Sequence, residues 1–266
     1  MSILDNIIAK KRIEVAGRKS KTSISELESK TFFKNETLSF KDFLLKKDKT
    51  GIIAEFKRRS PSKGVINNTS TATEVTSAYA QFGASAISVL TEEEFFGGTL
   101  NDLLEATIND VPLLRKDFII DEYQLIESKA FGADIILLIA ACLSKEEVDS
   151  LTTFAKNIGL NVLLEIHNEQ ELEYICDEVD VVGINNRNLK NFAVDINHSI
   201  ELGNKIPADK IKIAESGIGD VETIHLLRQH GFSGFLMGEK FMKESNPGKA
   251  FQDFVNELNE LNQKGF

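Results

Sequence analysis

The sequence predicts an α/β fold, a (β/α)8 barrel preceded by a helical extension. Three observations point there. Short apolar runs recur, starting near residues 52, 86, 112, 135, 161, 180, 211 and 233. Helical patterns lie between them, among them 73–82, 123–131, 144–157 and 221–229. The return from helix to strand repeats one junction, Phe82-Gly83-Ala84, Phe131-Gly132-Ala133, Ile158-Gly159-Leu160 and His230-Gly231-Phe232, where glycine suits the left-handed turn that ends a helix. Apolar runs this short read as parallel strands covered on both faces. Eight strand–helix units in roughly 215 residues fit a closed TIM-type barrel, with a doubly wound open sheet as the alternative.

In chain order, the N-terminus comes first. Ile3, Leu4, Ile7 and Ile8 share one helix face, and Asp5 interrupts what would be the apolar core of a signal peptide. Two helices, about 3–18 and 39–46, are joined by a polar stretch over 20–35. This extension either closes the barrel's bottom or lies across its top. The expected division is 1–46 for the extension and 47–266 for the barrel, one catalytic domain, with no linker marking a second. Asp121 and Ser144 read as N-caps, Ser144 with Glu147 as a capping box. An amphipathic segment, 251–261, follows the last strand.

Composition narrows the function. At 42% hydrophobic and 27% charged, the chain reads as globular rather than disordered. A net charge of -10 and a pI near 5.1 argue against a nucleic-acid or anionic-membrane surface, though not against a local basic pocket. The longest apolar run, 135–143, is too short to span a bilayer. Cys142 and Cys176 read as ordinary thiols of a reducing cytoplasm.

The strand ends carry the chemistry. Apolar runs lead into Glu55 and Lys57, Lys116, Glu165, Asn185 and Glu215, each at the carboxyl side. A charge there is costly to bury without a partner or a task. In a barrel these ends converge on one mouth. Residues i and i+2 share a face, so Glu55 and Lys57 point the same way; a mutual rim salt bridge is the plain alternative. Lysines and glutamates confined together shift one another's pKa values, as general acid–base work requires.

Phosphate binding has its own signal. Glu215-Ser216-Gly217-Ile218-Gly219 follows the seventh strand and opens a helix. Gly238-Glu239 ends the eighth strand and enters a short helix. Backbone N–H groups at such helix starts receive anions, and these two loops are the usual phosphate site of barrels. Ordinary turn glycines are the alternative. A dinucleotide fingerprint fails, because its third glycine position holds Glu222. The loop 60–64, Ser60-Pro61-Ser62-Lys63-Gly64, reads as a basic lid over an anionic substrate or as a simple turn. Phe95, Phe96 and Phe118 lie where they could line an aromatic pocket or pack as rim. The histidines 167, 198, 225 and 230 lack metal-ligand spacing and read as surface or packing residues.

Taken together, segments 54–62, 114–119, 163–165, 183–189, 214–218 and 236–239 resemble the indole-3-glycerol phosphate synthase family. The resemblance runs over nearly the whole chain, including the extension. It implies a decarboxylating ring closure in tryptophan biosynthesis. The substrate would be 1-(2-carboxyphenylamino)-1-deoxyribulose 5-phosphate, a small phosphorylated molecule, and no metal or organic cofactor is expected. By similarity Lys116 is the general acid at the ketone, beside Glu165. Lys57 holds the substrate carboxylate and serves in the dehydration, with Glu55 as partner or base. Asn185 and Glu215 position ring and hydroxyl groups, and Arg187 helps bind an anion. Ser60 and Phe118 join the substrate-binding set. Ser216, Gly217, Gly238 and Glu239 hold phosphate through backbone N–H groups. Position 239 often carries serine in the family, so the Glu239 side chain is expected to turn away. A cytoplasmic enzyme is expected, with a monomer one possibility and the oligomeric state and contacts to other pathway enzymes left open by the sequence; the segment 251–261 so soon after the eighth strand fits a synthase not fused to the preceding isomerase. Two rivals remain: a phosphoribosylanthranilate-isomerase-like enzyme, which would place a cysteine after the first strand, and a non-catalytic phosphate-metabolite binder.

Overall fold

The computed structural model describes residues 3–187 and 193–263. Eight parallel strands close in the order β1-β10-β9-β8-β7-β6-β5-β4, which excludes the open sheet. They are β1 (Ile52–Phe56), β4 (Ala86–Leu90), β5 (Leu113–Lys116), β6 (Ile135–Ile139), β7 (Asn161–Ile166), β8 (Val181–Asn185), β9 (Ile211–Glu215) and β10 (Phe232–Met237). The remaining strands, β2 (Arg59–Ser60) and β3 (Gly64–Val65), form a small antiparallel hairpin. The loop expected over 60–64 is thus a hairpin tip rising from the first barrel strand. Closure is made by β1 against β10, Ile52 opposite Phe235.

Burial follows strand parity. Ile53, Leu114, Leu163, Val181, Ile213 and Leu236 fill the barrel interior in one cluster. Ile52, Ala54, Val182, Ala214 and Phe235 face outward and pack with the surrounding helices. Two residues further along each inward row stand Glu55, Lys116, Glu165, Gly183, Glu215 and Gly238. The side-chain period of two therefore delivers the charged strand ends to the inside of the mouth.

The extension does both things the sequence left open. Helix α3 (Phe40–Leu45) places Phe40 and Leu44 in the interior cluster, plugging the amino-terminal end. Helix α1 (Ile3–Lys21) reaches the opposite end, where Ile3, Leu4 and Ile7 line the mouth. The supposed polar joint is itself ordered: α2 (Ile24–Ser29) carries a capping box of Ser23 and Glu26, followed by a 3-10 turn, Thr31–Lys34. Leu27 buries against Val15, Tyr123 and Ile126 and fixes it there. The Ser-x-x-Glu signal lay in the sequence, but one apolar contact per turn was too few to show as periodicity. The Ser144–Glu147 capping box and the Asp121 cap are both present. Gly83, Gly132, Gly159 and Gly231 all have left-handed φ values, as their junctions require. No helix among the described residues is long and apolar enough to cross a membrane.

Candidate active site

A cavity of ≈ 390 Å³ opens at the carboxyl ends of the strands, within the range of small-molecule sites. Of the sequence-expected site residues, Glu55, Lys57, Ser60, Lys116, Phe118, Glu165, Asn185, Arg187, Glu215, Ser216, Gly217, Gly238 and Glu239 all line it. Leu137 and Ile139, from the inner face of β6, form its floor with Leu236. Asn188 and Leu189, the last residues of the segment 183–189, lie outside the described residues.

Lys116 is the centre of the charged set. Its Nζ donates to Glu165 Oε2 at 2.9 Å and to Glu215 Oε2 at 2.6 Å. Burial alone would lower its pKa, but Glu165, Glu215 and Glu55 outweigh that and hold it above the ordinary lysine range. The two carboxylates diverge. Burial raises Glu215, Lys116 lowers it and Glu165 raises it again, leaving it pushed up to about 7. Glu165 is also opposed by burial, yet Lys116 and His167 hold it well below the carboxylate norm. Two neighbouring acids with separated proton affinities suit one for carrying a proton and the other for staying an anion.

Asn185 Nδ2 donates to Glu165 Oε1 at 3.1 Å, while its Oδ1 accepts from the Arg187 amide at 3.0 Å. Glu215 Oε1 is buried without a hydrogen-bond partner and lies over Gly183, where an added Cβ would sit 2.3 Å from it. Across the mouth Lys57 Nζ donates to Glu55 Oε1 at 2.6 Å. A Cβ on Gly238 would meet Glu55 Oε1 at 2.7 Å, so the glycine makes room for that carboxylate. The Glu55–Lys57 pair is therefore part of the mouth rather than of its outer rim.

The turn after β9 carries backbone strain. Ser216 has φ 69, the one non-glycine among the described residues in the left-handed region. Such strain persists only where the surroundings enforce it. Here buried Asn186 does so: its Nδ2 donates to Ser216 O at 2.9 Å and its Oδ1 accepts from Ser199 Oγ at 2.5 Å. Gly217 follows at φ 74, packed so that a Cβ would fall 2.1 Å from Val194 Cγ1. The Glu239 side chain lies among cations at the mouth. Its carboxylate lies 3.7 Å from Arg187 Nη2 and 3.8 Å from Lys63 Nζ, and Arg187 Nη1 donates to Ser62 Oγ at 3.2 Å. Two cations, one near each oxygen, offset its negative charge.

Phe96 and Phe118 stand together in the mouth, ring centroids 6.3 Å apart, whereas Phe95 sits under Lys10. Cys142 and Cys176 are both free, and burial raises the Cys142 thiol, so it is held protonated. Among the described residues no group of three or more His, Cys, Asp or Glu side chains is placed to hold a metal ion.

Three contributors escaped the sequence reading. Ile3, Leu4 and Ile7 come from the far N-terminus. The fully buried Lys11 pairs with Asp117 at 2.9 Å, and Arg115 Nη2 bonds Asp117 at 3.0 Å, tying α1 to the residue after Lys116. His167, read as a packing residue, lies 3.2 Å from Glu165. The Glu165-x-His167 spacing was the available signal, since i and i+2 share a strand face.

A closed barrel whose carboxyl mouth joins a lysine–carboxylate cluster to the strained Ser216–Gly217 turn defines a TIM-barrel protein with a site suited to acid–base chemistry. Solved structures agree on the fold: the tryptophan synthase alpha subunit of Legionella pneumophila has a TM-score of 0.62 at 13% identity, covering 85% of this chain and 98% of that one. The 3-hexulose-6-phosphate synthase of Salmonella typhimurium has a TM-score of 0.61 at 13% identity, covering 79% and 98%. Residues 4–254 match the family model for indole-3-glycerol phosphate synthase. A protein of that name from Bacteroides thetaiotaomicron is 49% identical, with 95% of this chain and 97% of the relative covered. Another from Salinibacter ruber is 42% identical, with 94% of each covered. The chain belongs to the indole-3-glycerol phosphate synthase family.

Proposed function

We propose that the mouth converts 1-(2-carboxyphenylamino)-1-deoxyribulose 5-phosphate into indole-3-glycerol phosphate, carbon dioxide and water. The observation that carries this reading is Lys116 clamped between Glu165 and Glu215 in the same cavity as the strained Ser216–Gly217 turn. The aromatic ring rests on the apolar wall of Phe96, Phe118 and Leu137, with the phosphate at Ser216, Gly217, Gly238 and Glu239. Lys57 faces the substrate carboxylate.

Ring closure joins the carboxyl-bearing aromatic carbon to the ketone carbon. Lys116 donates its proton to the ketone oxygen, and Glu165 stabilises the positive charge that appears on the ring system. The carbon–carboxylate bond then breaks, its electron pair returning to the ring and restoring aromaticity. In the last step the new hydroxyl leaves as water, protonated by Lys57, while a carboxylate takes a proton from the adjacent carbon; Glu55 is placed beside Lys57 for that task. Asn185 keeps Glu165 oriented.

The same reading makes residues 47–266 one catalytic unit with 1–46 as an accessory extension, acting in the cytoplasm. Purified protein given the substrate should develop indole fluorescence and release carbon dioxide together. Binding without either signal would overturn the synthase reading.

A further inference from the structure

His167 stands just outside the cavity lining, one position beyond β7 on the parity of Glu165. Its Nε2 lies 3.2 Å from Glu165 Oε1 and its Nδ1 3.6 Å from Glu171 Oε2. Glu171, on the 3-10 turn Glu169–Tyr174, is fixed by accepting from the His167 amide at 2.6 Å and from Asn168 Nδ2 at 2.5 Å. The His167 carbonyl contacts Nε2 of His198 at 2.7 Å, from the helix Ile196–Gly203. Cys142, from the turn after β6, is the remaining titratable neighbour; its thiol is near both Glu165 and Glu171 and stays protonated. The imidazole thus faces two carboxylates, and among the described residues the cation nearest that pair is Lys116, on the far oxygen of Glu165. Burial works against its charge, but Glu165 and Glu171 prevail and push it up to about 10.

Glu165 therefore carries two cations, Lys116 on one oxygen and His167 on the other. Only one of them survives the first chemical step, because Lys116 gives up its proton. Without a second cation, Glu165 and Glu215 would become two like charges in one dry mouth, competing for any available proton.

We propose that His167 is a positioning residue that stays an imidazolium through the cycle, keeping Glu165 an anion and leaving Glu215 as the carboxylate of the pair that takes up a proton. Its role rests on the synthase reading and works through Glu165; the ring touches no reacting atom. The unpartnered Oε1 of Glu215 is the free position for that proton.

The test combines kinetics with a measurement that needs no substrate. In His167→Gln, the acid limb of the kcat/KM profile should move up by about one pH unit or more, the scale of losing an adjacent charge. The value of kcat should fall roughly tenfold while KM stays within about twofold. His167→Lys should return the limb toward its wild-type position, because charge rather than shape is restored. An unmoved limb in His167→Gln, even with a lowered melting temperature, would reduce the residue to a structural contact and overturn the inference. Should the variants fail to fold, carbon and nitrogen NMR of the wild-type imidazole, assigned through its own Cβ, decides. A doubly protonated ring at pH 8 supports the inference, and a neutral ring overturns it whether or not the enzyme makes indole. Conversely, absence of indole formation by the wild type would remove the synthase reading without altering the ring's NMR state.

Discussion

Arg115 and Lys116 are neighbours on one strand, yet they serve two unlike ion clusters. Arg115 points out of the barrel and is fully buried. Its guanidinium bonds Thr91 Oγ1 at 3.1 Å, Ser128 Oγ at 3.1 Å and Gln124 O at 3.1 Å, and pairs with Asp117 and Glu127. Asp117 in turn takes Lys11 from α1, and these cations hold its carboxyl far below the usual range despite burial. Lys116 points inward to two carboxylates, one of which keeps an oxygen with no hydrogen-bond partner. The first cluster knits α1, the third barrel strand and the helix Glu122–Ala130 together and fixes geometry. The second lines the cavity, where the proposed chemistry needs a proton exchanged. Strand parity, which sends Arg115 outward against the helices and Lys116 into the mouth, rather than charge or burial, separates the two clusters.

That contrast can be broken from either side. Lys116→Ala should lower kcat roughly 100- to 10,000-fold with the fold retained, as loss of a general acid does. Steady-state fluorescence and a thermal melt check both halves, and near-normal turnover by a folded variant would remove Lys116 from its role. Asp117→Ala should do the reverse, costing about 3 kcal/mol of stability by taking from buried Arg115 and Lys11 the carboxylate they share. Urea unfolding reads this, and a loss of activity without a loss of stability would erase the distinction between the clusters.

A pH series sharpens it further. His167 binds its proton more tightly folded, at about 10, than unfolded, at 6.5. Its contribution to stability is therefore complete below pH 6.5 and disappears as pH climbs through about 10. The difference in unfolding free energy between wild type and His167→Gln should shrink over that window; a constant difference would contradict the charged pair.

Smaller effects belong to the anion end. Glu239→Ser removes a negative charge beside Arg187 and Lys63 and should lower KM several-fold, on the order of 1 kcal/mol, with kcat little changed. An unchanged KM would place the carboxylate outside the phosphate field. Ser216→Ala should raise KM by no more than about threefold, the backbone rather than the hydroxyl holding the phosphate. A collapse of affinity would assign the hydroxyl the larger part.

The sequence by itself determined the barrel, because a doubly covered parallel strand must be apolar and must stop where its row of side chains reaches water. All eight strand starts fall within one residue of their expected positions. The charged strand ends were legible for the same reason, each breaking an apolar row at one end only. Tertiary structure alone decided what depends on distant partners. It placed Lys11 against Asp117, Ile3 and Leu4 over the mouth, and Glu239 between two cations. It also set His167, a lone histidine in the sequence, 3.2 Å from Glu165. A residue's periodicity is written in its neighbours along the chain. Its protonation is set by the charges that folding brings beside it, and no local pattern records those.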